Sequence, residues 1–357
     1  VKVLVVDDSA LMRRALGSMM VGEPDLQVGY ARDGREAIDM LHGFRPDVVT
    51  LDVQMPNMDG LACLDRIMLE RPCRVLMLSS ITEAGAAVTL NALALGAVDF
   101  IAKPAGTISL ALDEFRPAFL AKLRSVAAAR LQPAKRLTER VRLRTKGVLA
   151  DRPRPTTRPT VAIAGSVRDG LVLVGTSTGG PPALDAVLSA LPANFPWPVI
   201  VAQHMPAAFT ASLARRLDGL CDLEVVEVTQ AMPIVPGRVF IGRGDADIIV
   251  SQRPAGPVVM PAPSSPEHRW HPSVDRLVTT ALQYLPATTL IGVLMTGMGN
   301  DGAAAMTRLR QEGGRTIAEA EETAVVWGMP GELVRSGGAQ VVVPVQDIAR
   351  QLLAWAA

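Results

Sequence analysis

Aromatic residues are scarce in this chain of 357 residues: Phe, Trp and Tyr together make up 4%. Base-stacking platforms for nucleic acid need aromatic faces, so that class of function is disfavoured. Cysteine is scarcer still. The three present, Cys63, Cys73 and Cys221, are an odd number with no CxxC pair and no zinc-ligand spacing, which argues against a disulfide framework and a structural zinc site. No apolar run approaches the roughly 18 residues of a membrane span, and the opening VKVLVVDDSA has no signal-peptide cleavage pattern. Histidine occurs only at His42, His204, His268 and His271. What remains, 49% hydrophobic and 20% charged, is enough to bury sizeable cores. At about 100–200 residues per domain the length predicts two domains or three. The expectation is a cytoplasmic α/β protein.

The formal net charge of +1 conceals an asymmetry: twelve Lys or Arg and two acids, Glu139 and Asp151, fall between Lys122 and Arg158, leaving 24 basic and 33 acidic residues elsewhere. This stretch ends in repeated prolines and Thr-Arg-Pro steps, which cannot continue a helix. It reads as a helix tail followed by an exposed basic linker, with no nucleic acid expected as partner.

Before the linker, short apolar runs alternate with amphipathic stretches, the pattern of a parallel sheet with crossover helices. Strands are expected at Val3–Val6, Gln27–Tyr30, Val48–Leu51, Val75–Leu78 and Asp99–Ile101. Polar residues follow them directly: Asp7 and Asp8, Asp52, Ser79 and Lys103. Strand ends are where doubly wound sheets bind ligands. Converging carboxylates suit a hard cation such as Mg²⁺. A carboxylate can also attack phosphorus to give an acyl phosphate, whose oxygens an ammonium and a hydroxyl would bind. Taken singly, each aspartate is better read as a helix cap or turn former; all five polar groups at strand ends together favour the site.

VLVVDDSA, LDVQMPNMDGL, VLMLSS and DFIAKP resemble the signature segments of a response-regulator receiver domain over residues 1–120. The resemblance implies that Asp52 is the phospho-acceptor and that Asp7, Asp8, Asp52 and the backbone carbonyl of Gln54 hold Mg²⁺. It makes Ser79 the hydroxyl switch, Phe100 the rotating aromatic and Lys103 the phosphate contact. Phe100 stands where receivers often carry Tyr, so a hydrogen bond from that ring is lost.

A second α/β block begins near Asp169. LVLVGTSTGG passes from an apolar strand, Leu171–Val174, into a glycine-rich turn and Pro181–Pro182, and proline suits a first helical turn. Gly175, Ser177 and Gly179 fit the G-x-S-x-G elbow of a nucleophilic serine, although a turn that only caps a helix explains them equally. A nucleophilic serine needs a base and an orienting acid. His204 follows the strand Val199–Ala202, and Asp301 lies just beyond the strand Leu290–Leu294, so Ser177, His204 and Asp301 all fall in strand-end loops. His271 is the rival base, better read as a rim residue. Gly297, Gly299 and Gly302, with Glu319 further on, also spell a dinucleotide fingerprint before the helix Ala303–Arg310. Against that reading, Asp301 puts a negative charge into the loop meant for pyrophosphate, and too little chain follows for a two-half nucleotide fold.

GTSTGGP, VAQHMP, HPSVD and TGMGNDGA resemble the motif series of the chemotaxis protein-glutamate methylesterase (CheB) family, whose members join a receiver, a linker and an esterase domain. The implied architecture is two doubly wound parallel-sheet domains: a flavodoxin-like receiver at 1–120, a basic Pro-rich linker at 121–167 and a Rossmann-like α/β esterase domain at 168–357. The implied activity is phosphorylation-regulated hydrolysis of glutamate γ-methyl esters on methyl-accepting chemoreceptors, with a chemotaxis histidine kinase as phosphodonor. Association with the membrane is then only through receptors. Family members commonly deamidate glutamine as well. Ser177, His204 and Asp301 form the implied triad, with oxyanion donors expected at Thr178 N–H and in the Gly297–Met298 loop. The esterase step is expected to need no cofactor. Thr176 stands where the family often has alanine and is expected to tune access to the nucleophile. The alternative is a response regulator whose second block has lost catalysis and acts through protein contacts, or whose basic linker binds DNA.

Overall fold

The computed structural model describes residues 1–80, 82–104, 108–131 and 170–356. The chain divides into two compact units, Val1–Leu149 and Ala150–Ala357. Beyond Leu131 the expected linker lies outside the described residues.

The first unit alternates strand and helix: β1 (Lys2–Val6), α1 (Ala10–Met20), β2 (Gln27–Ala31), α2 (Gly34–Phe44), β3 (Val48–Asp52), α3 (Gly60–Glu70), β4 (Arg74–Ser79), α4 (Glu83–Leu95), β5 (Asp99–Ala102) and α5 (Ile108–Ala128). All strands are parallel, in the order β2-β1-β3-β4-β5. Both faces of such a sheet are covered by helices, which is why VVTLD of β3 is buried throughout. Helix starts are capped locally. Ser9, Asp33, Asp59 and Thr82 each accept a backbone N–H from the first turn they precede. Phe119, Leu123 and Val126 form the buried stripe of α5, at the spacing of a packed helix face. Lys122 and Arg124 of the basic segment lie on this helix and are paired, with Asp99 and with Glu23 and Asp25.

The second unit holds β6 (Leu171–Thr176), α6 (Gly180–Leu188), β7 (Val199–Gln203), α7 (Ala207–Leu220), β8 (Glu224–Val228), β9 (Met232–Pro233), β10 (Arg238–Gly242), β11 (Asp247–Arg253), β12 (Gly256–Ala262), α8 (Val274–Tyr284), β13 (Leu290–Leu294), α9 (Ala303–Gln311), β14 (Arg315–Glu319), α10 (Met329–Arg335), β15 (Val341–Val343) and α11 (Val345–Ala356). Its main sheet runs β15-β14-β13-β6-β7-β10-β8, parallel throughout. A small antiparallel sheet, β11-β12-β9, stands apart from it. The core includes Leu171, Leu173, Ile200, Phe240, Leu290 and Leu294 of the sheet, with Leu277, Val278, Met306 and Leu309 from helices.

In both sheets the strand order reverses beside one strand, between β1 and β3 in the first and between β6 and β13 in the second. A crevice opens there at the carboxyl ends of the strands, because successive crossovers depart to opposite sides.

Candidate active site

In the first unit Val6 pairs with Leu51, which sets Asp7 level with Asp52. Asp7, Asp8 and Asp52 bring carboxylate oxygens within 4.8 Å of one another. Lys103, one residue past β5, places Nζ 2.8 Å from Asp7 Oδ2 and 2.8 Å from Asp52 Oδ2. Burial raises the Asp52 carboxyl above the usual carboxylate range, and the hydrogen bond and charge of Lys103 offset only part of that. Burial works against the Lys103 ammonium too, but its two carboxylate partners outweigh it and hold it above the ordinary value. Asp52 Oδ1 receives one long approach, from Gln54 N–H at 3.4 Å. A cleft of about 680 Å³, lined in part by Asp8, Gln54, Met55, Pro56 and Ala84, opens beside the acids.

Two residues expected at this site are engaged elsewhere. Ser79, fully buried at the end of β4, accepts a hydrogen bond from Thr89 Oγ1 of α4 at 2.7 Å and lies 3.4 Å from the Gly85 carbonyl. Phe100 is buried, with the Lys122 ammonium 5.5 Å from its ring centroid.

In the second unit Thr176 pairs with Gln203, so the next residues, Ser177 and His204, leave the sheet side by side. Gln203 Nε2 ties them together, donating to Ser177 O at 3.1 Å and to His204 O at 3.0 Å. After Ser177 the chain turns through Gly179 at φ +78°, where a Cβ would lie 2.6 Å from Val325 Cβ. Only glycine meets both demands without strain. Thr176, expected to tune access to the nucleophile, lies in the interior. It is fully buried and donates its hydroxyl to Thr296 O at 3.1 Å, because strand alternation turns it away from the face Ser177 presents.

His204 Nε2 lies 2.8 Å from Asp301 Oδ2. Asp301 is in turn held by the start of α8, accepting from Ser273 Oγ at 3.1 Å, Val274 N–H at 2.7 Å and Asp275 N–H at 3.0 Å. Burial pushes this carboxyl up. The His204 hydrogen bond and charge and the helix N–H groups outweigh that and hold it below the usual range. An ionised Asp301 can only accept, so in the neutral ring Nε2 carries the proton and the lone pair is on Nδ1. Nδ1 is buried and has no hydrogen-bond partner among the described residues. Ser177 and His204 are therefore neighbours without being joined, an arrangement common before substrate completes a site.

The expected oxyanion loop narrows on inspection. Gly297 N–H is spent on Val326 O at 3.0 Å, which leaves Met298 N–H, on a half-buried residue, as that loop's candidate donor. Thr178 is buried immediately after the serine, and its carbonyl accepts from Thr296 Oγ1 at 2.8 Å.

Glu319 reads differently in three dimensions. It ends β14, fully buried, and accepts Thr296 N–H at 2.7 Å and the Thr323 hydroxyl at 2.9 Å. Thr296 O in turn receives Ser177 N–H at 3.0 Å. The acid thus buttresses the serine elbow rather than serving a ribose. Burial, with no cationic partner among the described residues, pushes it up to about 7. His271 is a rim residue, its Nδ1 2.9 Å from the buried Asp247.

Sequence reasoning missed the N–H groups of Val274 and Asp275 that cradle Asp301. The available signal was Ser273 at the head of an amphipathic stretch, a helix N-cap.

Residues 172–352 match the CheB methylesterase family, and residues 3–112 match the response regulator receiver domain. A protein-glutamate methylesterase/protein-glutamine glutaminase of Rhodopseudomonas palustris is 53% identical over 99% of this chain and 98% of its own. One from Rhodospirillum rubrum is 51% identical over 99% and 96%. The crystal structure of the Thermotoga maritima CheB methylesterase catalytic domain superposes with a TM-score of 0.50 at 37% identity, covering 52% of this chain and 97% of that one. With both domain matches in one chain and relatives this similar along its whole length, the protein belongs to the CheB methylesterase family, in the form that carries a response-regulator receiver domain.

Proposed function

We propose that the protein hydrolyses γ-methyl esters of glutamate side chains on methyl-accepting chemoreceptors in the cytoplasm, and that phosphorylation of its receiver by a chemotaxis histidine kinase controls the rate. The observation that carries the reading is the Asp301–His204 pair at 2.8 Å set beside Ser177 at the switch point of the second sheet. Ser177 Oγ attacks the ester carbonyl and passes its proton to His204 Nδ1. Asp301 stabilises the imidazolium through Nε2–H. As the tetrahedral adduct collapses, the C–O bond to methoxide breaks, His204 returns the proton, and methanol leaves. Water repeats the sequence on the glutamyl ester of Ser177 and releases glutamate. Thr178 N–H and Met298 N–H are the proposed oxyanion donors, each typically worth about 10²–10³-fold. An amide side chain can follow the same route with ammonia as leaving group, as the glutaminase half of the relatives' names describes.

In the receiver, three carboxylates lie together and only two of them, Asp7 and Asp52, contact the Lys103 ammonium, a donor set that suits a hard divalent cation. Asp7, Asp8, Asp52 and the Gln54 carbonyl would hold Mg²⁺, which would offset charge as a phosphoryl group approaches. Asp52 Oδ1 is the proposed nucleophile. Lys103 is the proposed contact of the new phosphate, and Ser79 and Phe100 are the residues proposed to move with it.

The test is methanol release from methylated receptor membranes, with and without Mg²⁺ and a small phosphodonor. Wild type is expected to release methanol faster with phosphodonor, and Ser177→Ala to release none above background. Undiminished release by Ser177→Ala would refute the serine mechanism.

A further inference from the structure

One aromatic side chain beside the esterase site is not absorbed by this chemistry. Trp270 lies parallel to the His204 ring, at 6° between planes and 6.0 Å between centroids. That is offset stacking geometry. Its placement is built rather than incidental. The loop carrying it is pinned along its length by one fully buried carboxylate, Asp247. This accepts from Ser265 N–H at 3.2 Å, His271 Nδ1 at 2.9 Å, Ser273 N–H at 2.8 Å and Arg276 Nη1 at 2.6 Å. Burial alone would push Asp247 up, but these donors hold it below the usual range, so the anchor stays charged. Gly299 makes room for the indole. A Cβ there would lie 2.7 Å from the Trp270 ring, at a φ of +89°. The Arg269 guanidinium lies 5.4 Å from the indole centroid.

We propose that Trp270 is a positioning residue for the esterase reaction, holding the His204 ring in its working plane and stabilising the imidazolium against its π face. This rests on the Ser177–His204–Asp301 reading. The Asp301 hydrogen bond fixes one ring nitrogen but leaves the imidazole able to swing about that contact. A parallel aromatic plane removes the swing and so keeps Nδ1 available to the serine proton. When His204 becomes an imidazolium its charge lies against a ring quadrupole, an attraction absent for the neutral ring and therefore larger in the transition state than in the ground state. Such a residue acts on kcat and hardly on KM.

The experiment uses the full chain with Mg²⁺ and phosphodonor, following methanol release against the concentration of methylated receptor. Trp270→Leu is expected to lower kcat roughly 3- to 30-fold, the range a cation–π contact spans, with KM changed less than about twofold. Trp270→Phe, which keeps an aromatic face, should recover most of the loss. Sulfonylation of Ser177 by a sulfonyl fluoride, which needs no receptor, should slow in the same order. Where Trp270→Leu does not fold, Trp270→Met takes its place. Unchanged kcat in Trp270→Leu overturns the proposal. So does a rise in KM alone, which would make Trp270 a receptor contact, and so does Trp270→Phe as slow as Trp270→Leu. Ser177→Ala separates the two levels. If it retains activity, the triad reading itself fails. If it is inactive while Trp270→Leu equals wild type, only the role of Trp270 fails.

Discussion

Asp52 and Asp301 are both buried carboxylates at the carboxyl edge of a parallel sheet, each beside its switch point, yet their surroundings push them in opposite directions. Asp301 is saturated: His204, Ser273 and two helix N–H groups all donate to it. Nothing is left over for a reacting atom, and its charge is held in place. Asp52 is under-supplied. Lys103 is shared with Asp7, the neighbouring negative charge adds to the effect of burial, and among the described residues Oδ1 has only the 3.4 Å approach of Gln54 N–H. A carboxylate that orients another group is wrapped, whereas one that is to react or bind a cation is left with open lone pairs. The same fold edge can supply either, depending on how many donors the loops bring.

The largest expected effect comes from breaking the wrapped member. Asp301→Asn presents an amide where the imidazole N–H needs an acceptor, and the ring is free to take the other tautomer. A drop in kcat of roughly 10³–10⁴-fold is expected, the scale of such replacements in serine triads. Initial-rate methanol release against receptor concentration measures it. A loss below tenfold would mean that Asp301 is a structural cap of α8 and that His204 is oriented by something else.

Much of this was legible because buried parallel strands read as unbroken apolar runs. VLVV, VVTL, LVLV, VIVA and LIGVL each lie within an observed strand. Their ends were less legible. Asp52, Ser79, Thr176 and Gln203 are polar yet belong to the strands, since the backbone ladder continues past the last apolar side chain. The small sheet of β9, β11 and β12 gave no clear signal, because GPVVMPA, its middle strand, carries two prolines, which in a sequence argue against a central strand. Ser177, His204 and Asp301 could be placed by position relative to strands. The donors that hold Asp301 sit 26 to 28 residues earlier in the chain, and the loop presenting Trp270 is fixed by Asp247, itself on another strand. Nothing in the spacing of one segment reports such contacts. Glu319 shows the converse: a literal motif match whose acid is spent on packing the elbow.

Glu319 and Asp301 also sharpen the comparison through stability, because their shifts have opposite signs. Glu319 is raised to about 7, so its contribution is fully present below the unfolded value near 4.5 and is lost as pH rises through 7. Asp301 is lowered, so its contribution is present above the unfolded value and is lost as pH falls through the folded one. Glu319→Gln keeps an oxygen for Thr296 N–H and an N–H₂ for the Thr323 oxygen, without the charge. At pH 8 it is expected to be more stable than wild type by on the order of 3 kcal/mol, and to match it near pH 4, below the unfolded value. Thermal melts at the two pH values check this. An equal difference at both would show that Glu319 carries no proton-linked cost.

The smallest effect concerns the under-supplied member. If Asp52 Oδ1 is the phosphoryl acceptor, Asp52→Asn removes the attacking lone pair and part of the cation site together, and the esterase response to phosphodonor disappears. The size of that response is bounded by the free-energy difference between the two receiver states, and tenfold activation corresponds to about 1.4 kcal/mol. Lys103→Met separates attack from response. It leaves Asp52 intact but removes the ammonium shared with Asp7, so phosphate incorporation should persist while activation falls. The measurement pairs acid-stable-corrected phosphate incorporation with methanol release in each variant. Loss of incorporation in Lys103→Met equal to that in Asp52→Asn would place the ammonium in the attack itself. The open lone pair of Asp52 would then not suffice, and the distinction between wrapped and open carboxylates would need the cation as a third element.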